Sequence, residues 1–340
     1  MTEKLFEPQN ILVIHFGQMG DVILALPAMQ AIRQKFPNAR LTALLGKSSA
    51  MIARLADVFD EEIIVDRVEL RDGNKLRSIN QIRRIVREVR RRKFDFIVDL
   101  HSLSETNLLG FLSGARKRLY ANRENRSLDF LAKFPAKPPA EDKSKHISER
   151  YLDVLAPLGI ENIDTFAHIA PRAENLEEIE KLFRSFGIKE DETLIGLFPG
   201  AGHPSRRWSL ENFARLAEKL LEKKNCRVLV FLGPEEADLA EEIERKFPPE
   251  TIVLKPLKLL TFFAAVSKMR IFISNDTGPM HLAAIAGAAV VLILDERAPD
   301  TFLPLTKNLR VVKSGEIGKI SVDEVFQATG SFLDNELTKE

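Results

Sequence analysis

The sequence predicts an α/β protein made of two doubly wound domains that face each other across a cleft, and three observations predict it. At 340 residues the chain exceeds what one hydrophobic core commonly organises, so two domains of roughly 150 residues each are expected. Two segments open alike, "NILVIHFGQMGDVILALPAMQAI" (10–32) and "TLIGLFPGAGHPSRRWSLENFARLAEKL" (193–220). Each runs from a short apolar strand through a glycine-containing turn into an amphipathic helix, which is how a βαβ domain begins. Further strands alternate with helical patterns, and their apolar character on both faces argues for parallel sheets covered by helices on each side.

Taken in order, the first domain (1–170) holds a strand at the start of 10–32, further strands in "RLTALL" (40–45) and "FDFIVDL" (94–100), and a helix in "HISERYLDVLAPLG" (146–159). The pattern weakens over 160–192, where the boundary is expected. The second domain (171–340) follows with strands in "RVLVFLG" (227–233), "TIVL" (251–254), "RIFIS" (270–274) and "AVVLIL" (289–294), and its last helix is expected to pack back on the first domain. In "SNDTGPMHLAA" (274–284) a strand passes through a tight turn into a helix with Pro279 at its first position and Gly287 just past its end. In open parallel sheets ligands bind at the carboxyl ends of the strands, so the loops there are the candidate sites.

With 45% hydrophobic and 29% charged residues the composition is that of a chain able to form packed cores. The longest apolar candidate for a membrane span, 282–294, is too short and contains Gly287. The N-terminal segment lacks the basic region, apolar stretch and cleavage site of a secretory signal, so a cytoplasmic protein is expected. The single cysteine, Cys226, fits a reducing compartment and reads as a structural thiol. The net charge of +1 divides unevenly: residues 1–170 hold 27 Lys+Arg against 22 Asp+Glu, and residues 171–340 hold 23 against 27. The first half is therefore the one expected to meet an anionic partner. Its stretch "RRIVREVRRRK" (83–93) reads either as the wet face of a surface helix or as a contact for acidic lipid or nucleic acid, and for the protein as a whole no nucleic-acid partner is expected.

Four loops carry the candidate chemistry. The start of the helix near Pro279 offers unpaired N–H groups and a positive dipole end to a phosphate or diphosphate. There the amides of Thr277 and Gly278 would meet phosphate oxygens, His281 would donate to them, and Asp276 would accept from loop amides or sugar hydroxyls; the plainer alternative is that Asp276 or Thr277 caps the helix. In "FPGAGHPSRRW" (198–208) Gly200 and Gly202 allow close backbone approach, and Arg206 and Arg207 supply forked cations. In "FLGPEEADLAEEI" (231–243) Glu235 and Glu236 follow Gly233, either as ribose-binding acids or as first-turn acids favoured by the helix dipole. In "HFGQMGDV" (15–22) Asp21 is a helix cap or a catalytic base, with Gly20 beside it, and the Gly17–Gly20 spacing does not make a dinucleotide fingerprint. The basic stretch 116–150 contains Arg116 and Arg118, which become acceptor-binding candidates for a phosphorylated substrate. Phosphate-loop, nucleophile-elbow, zinc-helix and D-x-D motifs are all missing from the sequence, and no bound metal is expected.

Together and in this order, "ILVIHFGQMGDVILALPAMQAIR", "FDFIVDLHSLSETNLLGFLSGARKRLY", "FPGAGHPSRRWSLENFARLAEKL" and "ISNDTGPMHLAAIAGAAVVLIL" resemble the lipopolysaccharide heptosyltransferases, glycosyltransferase family 9, across nearly the whole chain. The resemblance implies the GT-B architecture of two Rossmann-like domains, with the acceptor in the first and an ADP-sugar donor in the second. It implies inverting, metal-independent transfer of heptose from ADP-heptose to a lipid-linked inner-core acceptor, at the cytoplasmic face of the inner membrane. ADP-sugar is then a substrate, and no cofactor is implied. Asp21 matches the family's catalytic aspartate, and Asp276, Thr277, Gly278 and His281 match its donor-diphosphate motif. Arg206 falls where the family carries a lysine, Glu235 matches a ribose-binding glutamate, and Leu257 matches an adenine-pocket position. The chain departs from the pattern in carrying Ala201 and Gly202 where some members have hydroxyl residues, so contacts there would come from the backbone. The alternatives are a transferase for another nucleotide sugar, a nucleotide-sugar epimerase, and a silent binding protein.

Overall fold

The computed structural model describes residues 6–333 apart from 48, 73, 125–127, 161, 162, 164 and 166–168. Arg126 of the basic stretch, part of the 160–192 segment and the chain beyond Leu333 therefore lie outside the described residues. The chain divides into two compact units, Met1–Thr165 and Phe166–Glu340.

The first unit runs β1 (Asn10–His15), α1 (Met19–Lys35), β2 (Arg40–Gly46), α2 (Ala50–Ala56), β3 (Glu61–Val65), α3 (Arg67–Asp72), α4 (Lys75–Arg91), β4 (Phe96–Asp99), α5 (Ser104–Leu112), β5 (Lys117–Tyr120) and α6 (Ile147–Asp153). Its five strands are all parallel, in the order β3-β2-β1-β4-β5. Strands β1, β2 and β4 bury nearly every side chain because helices cover both faces, which explains their unbroken apolar runs. From β1 the chain winds outward through β2 to β3, and it returns to β4 on the other side of β1. The β1–β4 junction is thus the topological switch point, where loops part and leave a crevice at the strand ends.

The second unit runs α7 (Ala173–Ser185), β6 (Thr193–Phe198), α8 (Leu210–Leu221), β7 (Cys226–Phe231), α9 (Ala240–Lys246), β8 (Ile252–Leu254), α10 (Leu259–Ser267), β9 (Ile271–Asn275), α11 (Gly278–Ile285), β10 (Ala289–Asp295), β11 (Leu309–Ser314) and α12 (Val322–Leu333). The six parallel strands are ordered β11-β10-β9-β6-β7-β8, so the switch point lies between β6 and β9. There Phe198 and Ser274 are register partners, and the loops that follow both strands leave the sheet side by side. The last helix, α12, buries Val322, Val325 and Phe332 in the core of its own sheet, against β10, β11 and α8.

The segment 274–287 forms as its residues dictate. Gly278 and Pro279 start α11, with Pro279 one place later than expected, and Gly287 follows its last turn at φ +88°.

Candidate functional site

In the second unit the side chain of Asn275 ties the two switch-point loops together. It is fully buried at the end of β9; its Nδ2 donates to the carbonyls of Pro199 (2.9 Å) and Gly200 (3.2 Å), and its Oδ1 accepts from the Trp208 N–H at 3.0 Å. Trp208 is itself buried and donates its indole N–H to the Ile320 carbonyl at 2.8 Å. The 199–208 loop is therefore anchored at both ends while its middle stays open. Neither Asn275 nor Trp208 stands out in the sequence, because a lone Asn or Trp reads the same whether it clamps a loop or lies at the surface.

Across these loops Arg206 Nη1 lies 3.4 Å from Asp276 Oδ2, with Arg206 about half exposed. Burial raises the Asp276 pKa, and the Arg206 charge opposes that rise. Thr277 precedes the first turn of α11 without a side-chain hydrogen bond to it, so the hydroxyl leaves the helix N–H groups uncapped. His281 is buried within that first turn. The arrangement holds a half-exposed guanidinium, a helix N-terminus and an imidazole at one strand end, all suited to receive an anion.

The acid buried beside these loops is Glu236. Glu235 is exposed, whereas Glu236 is buried beside the 199–208 loop, where Arg207 Nη2 lies 3.9 Å from its Oε1. Its pKa is raised by burial, and the Arg207 charge opposes this. A Cβ at Gly200 would come within 2.3 Å of Glu236 Oε1, and one at Gly233 within 2.6 Å of Oε2. Gly200 thus makes room for the Glu236 carboxylate. Gly202 has open space where a Cβ would stand. Arg207 is held on the Ala201 carbonyl by Nη2 (3.1 Å) and Nε (3.3 Å), so it braces the loop and leaves Arg206 as the outward cation. Leu257 is half-buried in the loop between β8 and α10.

In the first unit Asp21 occupies the first turn of α1, where its Oδ2 accepts the Gln18 N–H at 2.9 Å. Burial raises its pKa, with that hydrogen bond opposing. The cap reading and the base reading are thus compatible: one oxygen is held by the backbone, and the carboxylate is kept more basic than a free aspartate. Beside it, His15 Nδ1 accepts the Gly17 N–H at 3.2 Å, and a Cβ at Gly17 would fall within 2.6 Å of the His15 ring and 2.4 Å of Asp21 Cβ. Only glycine lets these two side chains approach across the turn. The His15 ring meets those of Tyr151 (5.0 Å) and His101 (5.3 Å) edge to face. His101 is pushed down to about 4, and His15 well below its usual value, first by burial and then by neighbouring positive charge from Arg123 and Arg67. Both imidazoles are therefore neutral at neutral pH. Arg123 donates to the His101 carbonyl at 2.5 Å and pairs with Glu141 at 3.0 Å. These residues come from the ends of β1 and β4, from α1, α3 and α6 and from the segment after β5, and no local motif could have brought them together.

Of the acceptor candidates, Gly20 lies on α1 next to Asp21 and Arg116 is exposed. Arg118 is buried, and its guanidinium donates to the Ala115 (2.6 Å) and Leu131 (3.0 Å) carbonyls while lying over the Phe111 ring. Those contacts hold the Arg118 guanidinium on backbone carbonyls, and Arg123 is a cation facing His101 and His15.

Two parallel α/β units, each gathering polar side chains at its switch point, define the two-domain Rossmann-like class of the GT-B proteins. The chain belongs to glycosyltransferase family 9 (heptosyltransferase), whose model matches residues 82–326. It is 22% identical over 312 residues to lipopolysaccharide heptosyltransferase 3 of Escherichia coli strain K12, spanning 88% of this chain and 87% of that one. Its fold is similar to a family 9 glycosyl transferase from Veillonella parvula, with TM-score 0.84, 22% identity and coverage of 98% and 99%. It is also similar to the E. coli heptosyltransferase WaaC with ADP, with TM-score 0.76, 18% identity and coverage of 95% and 100%.

Proposed function

We propose that this glycosyltransferase moves heptose from ADP-heptose to a lipid-linked, phosphorylated inner-core saccharide, by inverting transfer that needs no metal. Asp21 takes the proton from the acceptor hydroxyl as that oxygen attacks the anomeric carbon on the face opposite the diphosphate. The oxygen–anomeric carbon bond forms as the bond to the diphosphate breaks, and ADP leaves with the electron pair. Arg206, His281 and the amides of Thr277 and Gly278 receive the charge that builds on the departing diphosphate. Gly200 and Gly202 keep the loop backbone close to the donor, Arg207 holds that loop in shape, and Leu257 lines the adenine side. Glu236, with its buried carboxylate beside the loop, takes the ribose hydroxyls in place of Glu235. Because the acceptor is lipid-linked, the enzyme works as a peripheral protein at the cytoplasmic face of the inner membrane.

The observation that carries this reading is the union of the two switch-point loops by Asn275, which sets Arg206 beside Asp276 at the start of α11. Donor identity is supported by family membership and by fold similarity to a heptosyltransferase with ADP. The test is incubation with ADP-heptose and a Kdo-bearing acceptor, with chelator present. Release of ADP only when both substrates are present supports transfer. ADP release without acceptor indicates hydrolysis or epimerase-type chemistry, and equal turnover with UDP-sugars removes the ADP-heptose assignment. Arg206→Ala weakens donor binding and slows turnover; an unchanged donor affinity and rate refutes its role.

A further inference from the structure

Large apolar side chains left in water are concentrated on one run of surface elements. Of the twelve exposed among the described residues, eight belong to α3, α4, α5 and the 129–131 turn. These elements pack in sequence: α3 on α4, α4 on α5, and α5 on the turn. On α4 the inward residues Ile85, Val86 and Val89 join the core with Leu109 of α5 and Leu131 of the turn. Toward the N-terminal half of the helix the same apolar stripe runs on uncovered: Ile79 (45% exposed) and Ile82 (51%) stand one heptad before Val86 and Val89, and Leu76 (72%) lies a turn further. Phe130, at 74% exposure, and Phe111, at 46%, extend the apolar surface beyond α5. Large apolar side chains gathered on adjoining surface elements mark a partner's site, whereas single scattered ones do not.

Charge identifies the partner. Helix α4 also carries Lys75, Arg77, Arg83, Arg84, Arg87 and Arg90, all exposed and none in an ion pair among the described residues. Its one acid, Glu88, is engaged by Arg91 and Arg92. We infer that α4, α5 and the 129–131 turn form a docking surface for an anionic lipid bilayer. The arginines meet headgroup phosphates while Leu76, Ile79 and Phe130 reach past them to the acyl boundary. A second copy of the chain would set one uncompensated row of cations against another. A nucleic acid would satisfy the cations and leave the apolar side chains without a partner. This surface deepens the peripheral placement proposed above and rests on that reading only for the lipid-linked acceptor.

The test is vesicle flotation of the full chain without substrate, comparing phosphatidylethanolamine vesicles that contain phosphatidylglycerol with phosphatidylcholine vesicles. The protein is expected to float with the anionic vesicles alone, and less as salt rises. The pair Arg83→Glu with Arg87→Glu is expected to weaken binding roughly 30-fold or more, since two surface cations are lost. Ile79→Asp with Phe130→Asp weakens it comparably, and both pairs keep the melting temperature and the turnover on a deacylated, soluble acceptor. No binding to anionic vesicles overturns the inference, as does unchanged binding by either pair. Binding of duplex nucleic acid in place of vesicles overturns it too, as does a concentration-dependent dimer abolished by the apolar pair. Vesicle binding by a protein that transfers no heptose leaves this surface standing and removes the transferase reading.

Discussion

The Trp208 backbone N–H donates to the Asn275 side-chain oxygen at 3.0 Å, and through this bond the loop after one strand is held by the last residue of its neighbour. The Asn275 amide turns back to the Pro199 and Gly200 carbonyls, so all its contacts bind the loops to each other. A buried amide used in this way is costly to remove, since it leaves buried polar groups without partners.

Asn275→Ala is therefore expected to lower stability by about 3 kcal/mol and to weaken donor binding. Chemical denaturation checks the first effect and calorimetric titration with ADP the second. Asn275→Asp keeps the acceptor for Trp208 but loses the donor to two carbonyls, so an effect as mild as that of a surface substitution would show that the clamp is unimportant.

Gly233→Ala places a methyl group 2.6 Å from the Glu236 carboxylate. The carboxylate ends a flexible side chain, so it should shift out of its place at small cost to folding and at a clear cost to ADP affinity. In a Glu236→Ala background the methyl group has nothing to displace, and Gly233→Ala should add little. A double-mutant cycle measures this, and strictly additive losses would show that the glycine does not act through Glu236.

Asp21→Asn should keep the fold and donor affinity while lowering turnover by roughly 10³-fold, in the range general bases contribute. Because burial raises the Asp21 pKa, wild-type turnover should fall on the acid side at a higher pH than a free aspartate titrates. A pH–rate profile with its acid limb at the ordinary carboxylate value, or near-normal activity in the asparagine variant, removes Asp21 from the reaction.

The depressed His101 pKa affects stability. An imidazole with a lowered folded-state value binds its proton in the unfolded chain first, so stability holds above the unfolded value near 6.5 and declines as pH falls toward about 4. His15 acts in the same direction over the same acid side. Replacing His101 with Gln should reduce the slope of unfolding free energy between pH 4 and 6.5 by about one proton, read from denaturant melts across that range. Asp99 works the other way: burial raises it to about 6, so it favours folding at low pH and opposes it as pH rises through that value. An unchanged slope in the His101 variant would mean that the imidazole titrates alike in both states.

The central strands were legible because they are buried on both faces and therefore written as continuous apolar runs. The sequence reading misses β3, β5 and β11, each the outermost strand of its sheet. "EEIIV", "KRLY" and "LRVVKS" mix charges into the strand because an edge faces water, and charge there discourages pairing with other chains. The helix starts near Asp21 and Pro279 were legible to within a residue or two for a local reason too, since turn glycines and proline act within a few residues of themselves.

By itself, then, the sequence determined the alternation of strands and helices, the two domain openings, the family and the loops that carry candidate chemistry, because each depends on neighbours along the chain. Only the tertiary structure decided which side chains in those loops are available. It buried Glu236 beside the loop and left Glu235 exposed, held Arg118 and Arg207 on backbone carbonyls, and packed His15 against His101 next to the turn that carries Asp21. Availability is a matter of burial and of partners far apart in sequence, and parallel strand order creates those partners only when the sheet closes.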